Sequence, residues 1–147
     1  MKFLLSFLAV ALLTGSAYAA VGVVVHPTGI SDCYTQEEAV AEQGIRIHSE
    51  LMVIGLNCQH LTPAGQTNLY QSYREFTSRN SSIFAGYENT LINYYRRTGS
   101  SNPEGQFNIM RTQLANKVSL DAARTRPDVF CSHYIPRIQK ASTMSGN

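Results

Sequence analysis

None of the usual local signatures of catalysis is written in this chain. It has no serine in a Gly-x-Ser-x-Gly turn, no His-Glu-x-x-His helix and no Cys-x-x-Cys-His run, so acyl transfer, zinc peptidase chemistry and covalent haem attachment lack their local marks. Charged residues make up only 15% of the chain, without the clustered basic excess that nucleic-acid binding requires. No apolar run after residue 20 approaches the roughly twenty residues that span a membrane. Nucleic-acid partners and stable membrane insertion are therefore not expected. Tryptophan is absent and cysteine occurs only three times, at Cys33, Cys58 and Cys131.

What is present begins at the first residue. Met1-Lys2, an apolar run over residues 3–13 and small residues at Ala17 and Ala19 have the layout of a secretory signal peptide over 1–19. The mature chain is expected to start at Ala20 and to be periplasmic or secreted, where thiols end as disulfides. Charge is then unevenly divided. Residues 20–60 carry Asp32, Glu37, Glu38, Glu42 and Glu50 against Arg46 alone, whereas residues 61–147 carry ten bases against five acids. The two parts attract each other.

Residues 20–34 hold Val23-Val24-Val25, His26, Pro27 and Gly29 and read as an extended or disordered arm. Thr35-Gln36-Glu37-Glu38 has the spacing of a capping box, and the helix after it carries Val40, Ile47, Leu51, Ile54 and Cys58 on one face. Thr62-Pro63 signals a second helix start, with Leu69, Tyr73 and Phe76 as its stripe. Asn80 can cap a third helix bearing Phe84, Tyr87 and Leu91 and ending before Gly99. Pro103 opens a fourth helix with Phe107, Met110, Leu114 and Val118, fading near Arg124. Pro127 opens a last one, whose length Pro136 limits. The expectation is an all-α fold: one disulfide-stapled bundle of four to five helices over 35–140, neighbours antiparallel, with a flexible tail over 141–147.

An unbroken first helix separates Cys33 from Cys58 by about 33 Å at 1.5 Å per residue, beyond the reach of a disulfide. Cys131 then pairs with one of them. A plain up-down-up-down path returns it toward Cys33, while pairing with Cys58 requires the second and third helices to leave that path.

Glu50-Leu51-Met52-Val53-Ile54-Gly55-Leu56-Asn57-Cys58, Tyr73 and Phe76, Tyr94-Tyr95-Arg96-Arg97, Leu114-Ala115-Asn116 and Cys131 together resemble a family of small exported bacterial helical proteins with no assigned activity, over most of residues 45–135. The resemblance implies a helical fold with Cys58 bonded to Cys131 and no particular chemistry; Cys33 departs from its pattern.

Three functional readings remain. The first is a non-catalytic module that binds an envelope or secreted protein or a small apolar ligand, without cofactor, with Tyr94, Tyr95, Arg96 and Arg97 as a candidate partner surface because four successive helical residues cannot all face inward. The second is a hydrolase-type enzyme assembled from dispersed residues such as Glu75, Glu88, His60 and His133. The third is a small metal or redox module built on Cys58-x-His60 and Cys131-x-His133, whose thiolates a disulfide would consume.

Overall fold

The computed structural model describes residues 32–62 and 64–144. The expected signal peptide, residues 20–31 of the arm, Pro63 and residues 145–147 lie outside the described residues. The described residues form five α-helices and one short 3-10 turn: α1 (Gln36–Cys58), the turn Gln59–Leu61, α2 (Leu69–Arg79), α3 (Ser81–Arg97), α4 (Pro103–Arg124) and α5 (Pro127–Ser142). Among the described residues there is no strand, and no helix is long and apolar enough to cross a membrane.

The capping box forms as its spacing predicts. The Glu38 amide donates to the Thr35 hydroxyl and the Thr35 amide donates to the Glu38 carboxylate at 2.8 Å, which satisfies two donors that a helix start leaves open. The second helix does not start at Thr62-Pro63. The Thr62 hydroxyl instead donates to the Gln59 carbonyl and closes the 3-10 turn, and Asn68 caps α2 by accepting from the Tyr70 and Gln71 amides. Asn80 is not a side-chain cap for α3 either. Its amide group is buried and donates back to the Phe76 carbonyl at 2.8 Å. Gly99 ends the third helix in the left-handed conformation, φ +89°, as a glycine terminator does. Pro136 does not stop α5, which continues to Ser142. The proline lies on the exposed side, where solvent can take up the carbonyl that its missing N–H leaves without a donor. Ala141 is buried in the core rather than part of a loose tail.

The path explains the cysteines. Only Asn80 separates α2 from α3, too little chain to reverse direction. Both therefore run down against α1: Gly55 faces Tyr70, His48 meets Tyr73 and Phe84, Gly44 meets Tyr87, and Glu38 meets Arg97. The expected antiparallel α2–α3 pair is thus corrected. With α2 and α3 forming one broken limb, α4 runs back up and α5 starts beside the end of α1. Cys58 and Cys131 accordingly meet there, with Cα atoms 5.5 Å apart, in the disulfide of the bundle. Cys33 is exposed and lies outside that bond.

Helix α1 touches all four other helices, and its two halves serve different cores. Leu51, Ile54 and Cys58 pack with Leu69, Tyr73 and Phe76 of α2 and with Phe130, Cys131 and Ile138 of α5. Ala41 and Ile45 pack with Leu91 of α3 and Phe107 of α4. Two members of the stripe expected on α1 are not in either core: Val40 is 53% exposed and Ile47 is 40% exposed. Small residues take the contacts on the sides where neighbours approach closely. A Cβ on Gly55 would stand 3.3 Å from the Tyr70 Cα, and one on Gly44 only 2.3 Å from the Tyr87 ring.

Candidate functional site

Val40 and Ile47 face a groove between α1 and α3. Its floor and walls include Val40, Ile83, Gly86, Tyr87 and Thr90 in a depression of about 660 Å³, open along its length. An adjoining depression, which shares Val40 and Tyr87 with it, runs past Gly44 and Ile47. It ends in a smaller, mainly apolar hollow of about 220 Å³ where Phe76, Phe84 and Met144 gather. Gly44 makes this shape, because the missing side chain lets the Tyr87 ring lie against the α1 backbone. Gln36, Glu37, Gln43 and Thr90 add polar groups to the lining; the rest is apolar, and a contiguous apolar patch, as opposed to scattered exposed residues, is what marks an interaction site on a small domain.

Each residue singled out in the sequence can now be placed. The segment Tyr94-Tyr95-Arg96-Arg97 divides between contacts within the fold and solvent. The Tyr94 hydroxyl donates to the Asp32 carbonyl at 2.9 Å, and its ring packs on Tyr34 at 4.4 Å and on Tyr95 at 5.2 Å. Arg97 donates to both Glu38 oxygens, at 2.7 and 2.9 Å, and lies over the Tyr94 ring. Arg96 alone of the two arginines is turned to solvent, near Glu104. Burial first, then the neighbouring Tyr95 and Tyr94 hydroxyls, push the Tyr34 phenol well above its ordinary range.

The dispersed candidates are spread over four elements. His60 is exposed in the 3-10 turn, and His133 is exposed on α5 with its ring edge-on to Tyr134. Glu75 accepts from Gln71 of its own helix at 3.2 Å, and Glu88 lies on α3. The Cys-x-His pairs have their sulfurs joined to each other. Among the described residues no group of three or more His, Cys, Asp or Glu is arranged to hold a metal ion.

Two polar features, one buried and one half-buried, were not read from the sequence. Glu38 is both a capping residue and an ion-pair partner. Burial opposes its charge, but the Thr35 amide and Arg97 outweigh it and hold the carboxyl below its ordinary pKa. A lowered pKa stabilises the fold above the carboxyl's unfolded value, and the contribution disappears as pH falls through the folded value. Arg97→Ala should therefore cost about 2 kcal/mol at pH 7, as expected for a hydrogen bond to a charged group. Urea unfolding should show that cost shrinking toward pH 3.

His48 is the second. Its Nε2 and the Tyr73 hydroxyl share a hydrogen bond of 3.1 Å, and its ring packs on Phe84 at 4.7 Å. Burial, and secondarily the positive charge of Arg111, hold the imidazole below its ordinary pKa of 6.5. The folded state thus resists a proton that the unfolded chain accepts. Stability is complete above 6.5 and declines as pH falls from there toward the lowered folded value. In His48→Phe the loss of urea resistance between pH 7 and pH 5 should be smaller than in the parent chain.

Comparison with family models, with curated proteins and with solved structures finds no match for the chain. The groove therefore carries the structural part of the functional argument.

Proposed function

We propose that the chain is an exported, non-catalytic interaction module, and that its α1–α3 groove receives an apolar segment of a protein in the periplasm or the secreted space. The observation that carries this reading is the exposure of Val40 and Ile47 on one mainly apolar depression, which both line beside Gly44 and Tyr87. Two β-branched aliphatic side chains left about half uncovered on the central helix of a bundle forgo burial worth about 1 kcal/mol each. A partner's apolar side chains would recover it. The depression's openness favours a polypeptide over a small apolar ligand, which binds best where a pocket encloses most of its surface. The exported location rests on the leader-like first nineteen residues, and the disulfide fits an oxidising compartment. The likeness to small exported bacterial helical proteins points the same way.

A photo-crosslinker at Val40, in protein expressed in its native compartment, tests this reading. It should yield one defined adduct with a partner polypeptide, and Ile47→Asp should reduce that adduct by more than about tenfold, since an aspartate in a desolvated apolar contact costs well over 1.4 kcal/mol. An adduct of equal yield from a crosslinker at exposed Gln113 would overturn the reading. Turnover retained by purified protein and lost in Glu75→Ala, Glu88→Ala, His60→Ala or His133→Ala would replace it with the dispersed-site enzyme.

A further inference from the structure

Another depression lies away from the groove, where α4 and α5 part. Both helices pack on α1 but touch one another sparsely. The wedge between them is a crevice of about 190 Å³, narrower and more enclosed than the groove and sharing no residue with it. Its aliphatic wall is Leu114 and Val118 of α4. Leu114 packs on the core of Ala41 and Ile45, and Val118 on the core that holds the disulfide. The crevice therefore stands where the two cores meet.

Around that wall the lining is charged. Arg46 and Glu50 of α1, Lys117 and Asp121 of α4 and Arg137 of α5 border it, together with Tyr134. Three of these charges are already answered. Arg137 donates to Glu50 and lies over the Tyr134 ring at 5.0 Å, and Arg46 donates to Glu42. The other two are not. Among the described residues Lys117 has no carboxylate within ion-pair distance, and the Asp121 carboxylate accepts only the Tyr134 hydroxyl, at a long 3.5 Å. They stand one turn apart on the same face of α4, in the order, base before acid, that pairs less well within a helix. Each therefore borders the crevice with its charge open.

This pattern discriminates between ligands. An anion would meet Glu50 and Asp121, and a cation would meet Arg46, Lys117 and Arg137, in each case at the cost of like charges brought together. A molecule carrying both signs avoids this, because its carboxylate can accept from Lys117 while its ammonium donates to Asp121. Size narrows the choice further. The crevice is smaller than the roughly 300–1,000 Å³ of pockets for drug-sized ligands. At about 30 Å³ per water it holds about six waters, room for a small amino acid and not for a peptide. Leu114 and Val118 then favour an aliphatic side chain, which leaves water on entering.

We propose that the crevice between α1, α4 and α5 binds a small zwitterionic α-amino acid, its carboxylate on Lys117, its ammonium on Asp121 and a short aliphatic side chain against Leu114 and Val118. The site is separate from the α1–α3 groove and does not depend on a partner there.

Titration of the oxidised full chain with L-valine, followed by amide chemical shifts, tests the proposal. Saturable one-to-one shifts should centre on residues 114–121 and 134–137. Two analogues each lack one charge: 3-methylbutanoate has no ammonium and L-valinamide has no carboxylate. Each should bind more than about tenfold more weakly than valine, the effect of losing one charged hydrogen bond. Lys117→Met should weaken valine and spare valinamide, whereas Asp121→Asn should weaken valine and spare 3-methylbutanoate. Both residues are exposed, so neither change opens a core. Equal affinity for valine and either analogue would overturn the proposal, as would shifts that stay linear without saturating or valine binding left unchanged in either variant.

Discussion

Replacing Cys58 and Cys131 together by alanine is expected to lower stability by about 4 kcal/mol, the chain-entropy value for a crosslink closing a loop of this length. The two residues are 73 positions apart, so the bond removes a large share of the unfolded chain's freedom. Both sulfurs are fully buried, in the core formed by the C-terminal half of α1 with α2 and α5, and their removal also takes packing from that core. At about 4 °C per kcal/mol for a domain of this size, Tm should fall by about 15 °C. Thermal unfolding of the double variant, and of the parent chain with and without a reductant, measures it. A shift of only a few degrees would mean that helix packing alone fixes α5. The position of the bond also predicts where the loss is felt: amide exchange should rise first in α5, which it ties to the end of α1, and in α2, which packs in the same core.

The helices themselves were legible because their ends are chemically marked. Thr35 with Glu38, Pro103, Pro127 and Gly99 each satisfy or terminate a helix by a local rule, and each stands where that rule puts it. Markers that can act in two ways misled. Thr62 bonds backward and closes a turn, Asn80 donates to the preceding helix rather than capping the next, and Pro136 sits where a bundle surface tolerates it. The chain's path depended on one further fact. A single residue between α2 and α3 cannot turn the chain round, and this alone moves Cys131 from the start of α1 to its end.

The groove was harder to read, for a reason that lies in α1. A helix flanked on one side shows a single apolar stripe. This one is contacted by four helices and buries residues on several sides. Its close contacts are made by Ala41, Ser49 and Gly55, small residues that a search for large apolar side chains passes over. Val40 and Ile47 have the right spacing for a core stripe, and nothing in one sequence distinguishes a stripe that is covered from one left open. The Tyr94–Arg97 segment was identified as surface on sound grounds, since it cannot all face inward. Its ties to Asp32 and Glu38 run across some sixty residues and leave no local trace.

Phe107→Ala is expected to cost about 3–5 kcal/mol, as large-to-small changes of a buried phenylalanine do, and to act on the other half of the molecule. Phe107 is 1% exposed and is the one residue of α4 that is fully buried. It closes the core of Ala41, Ile45 and Leu91, against which Tyr87, Tyr95 and Met110 also pack. No covalent link supports α4 there: the disulfide stands at the far end of α1. The cavity left by the ring would therefore be met by loosening of α3 and α4. Amide exchange should increase in α3 and α4 well before α5, the reverse of the order expected on breaking the disulfide. Because Tyr87 borders both this core and the groove, the same substitution should weaken capture at Val40 without touching a groove residue. Uniform loss of protection across all five helices would instead show that the two cores unfold as one unit through their shared α1.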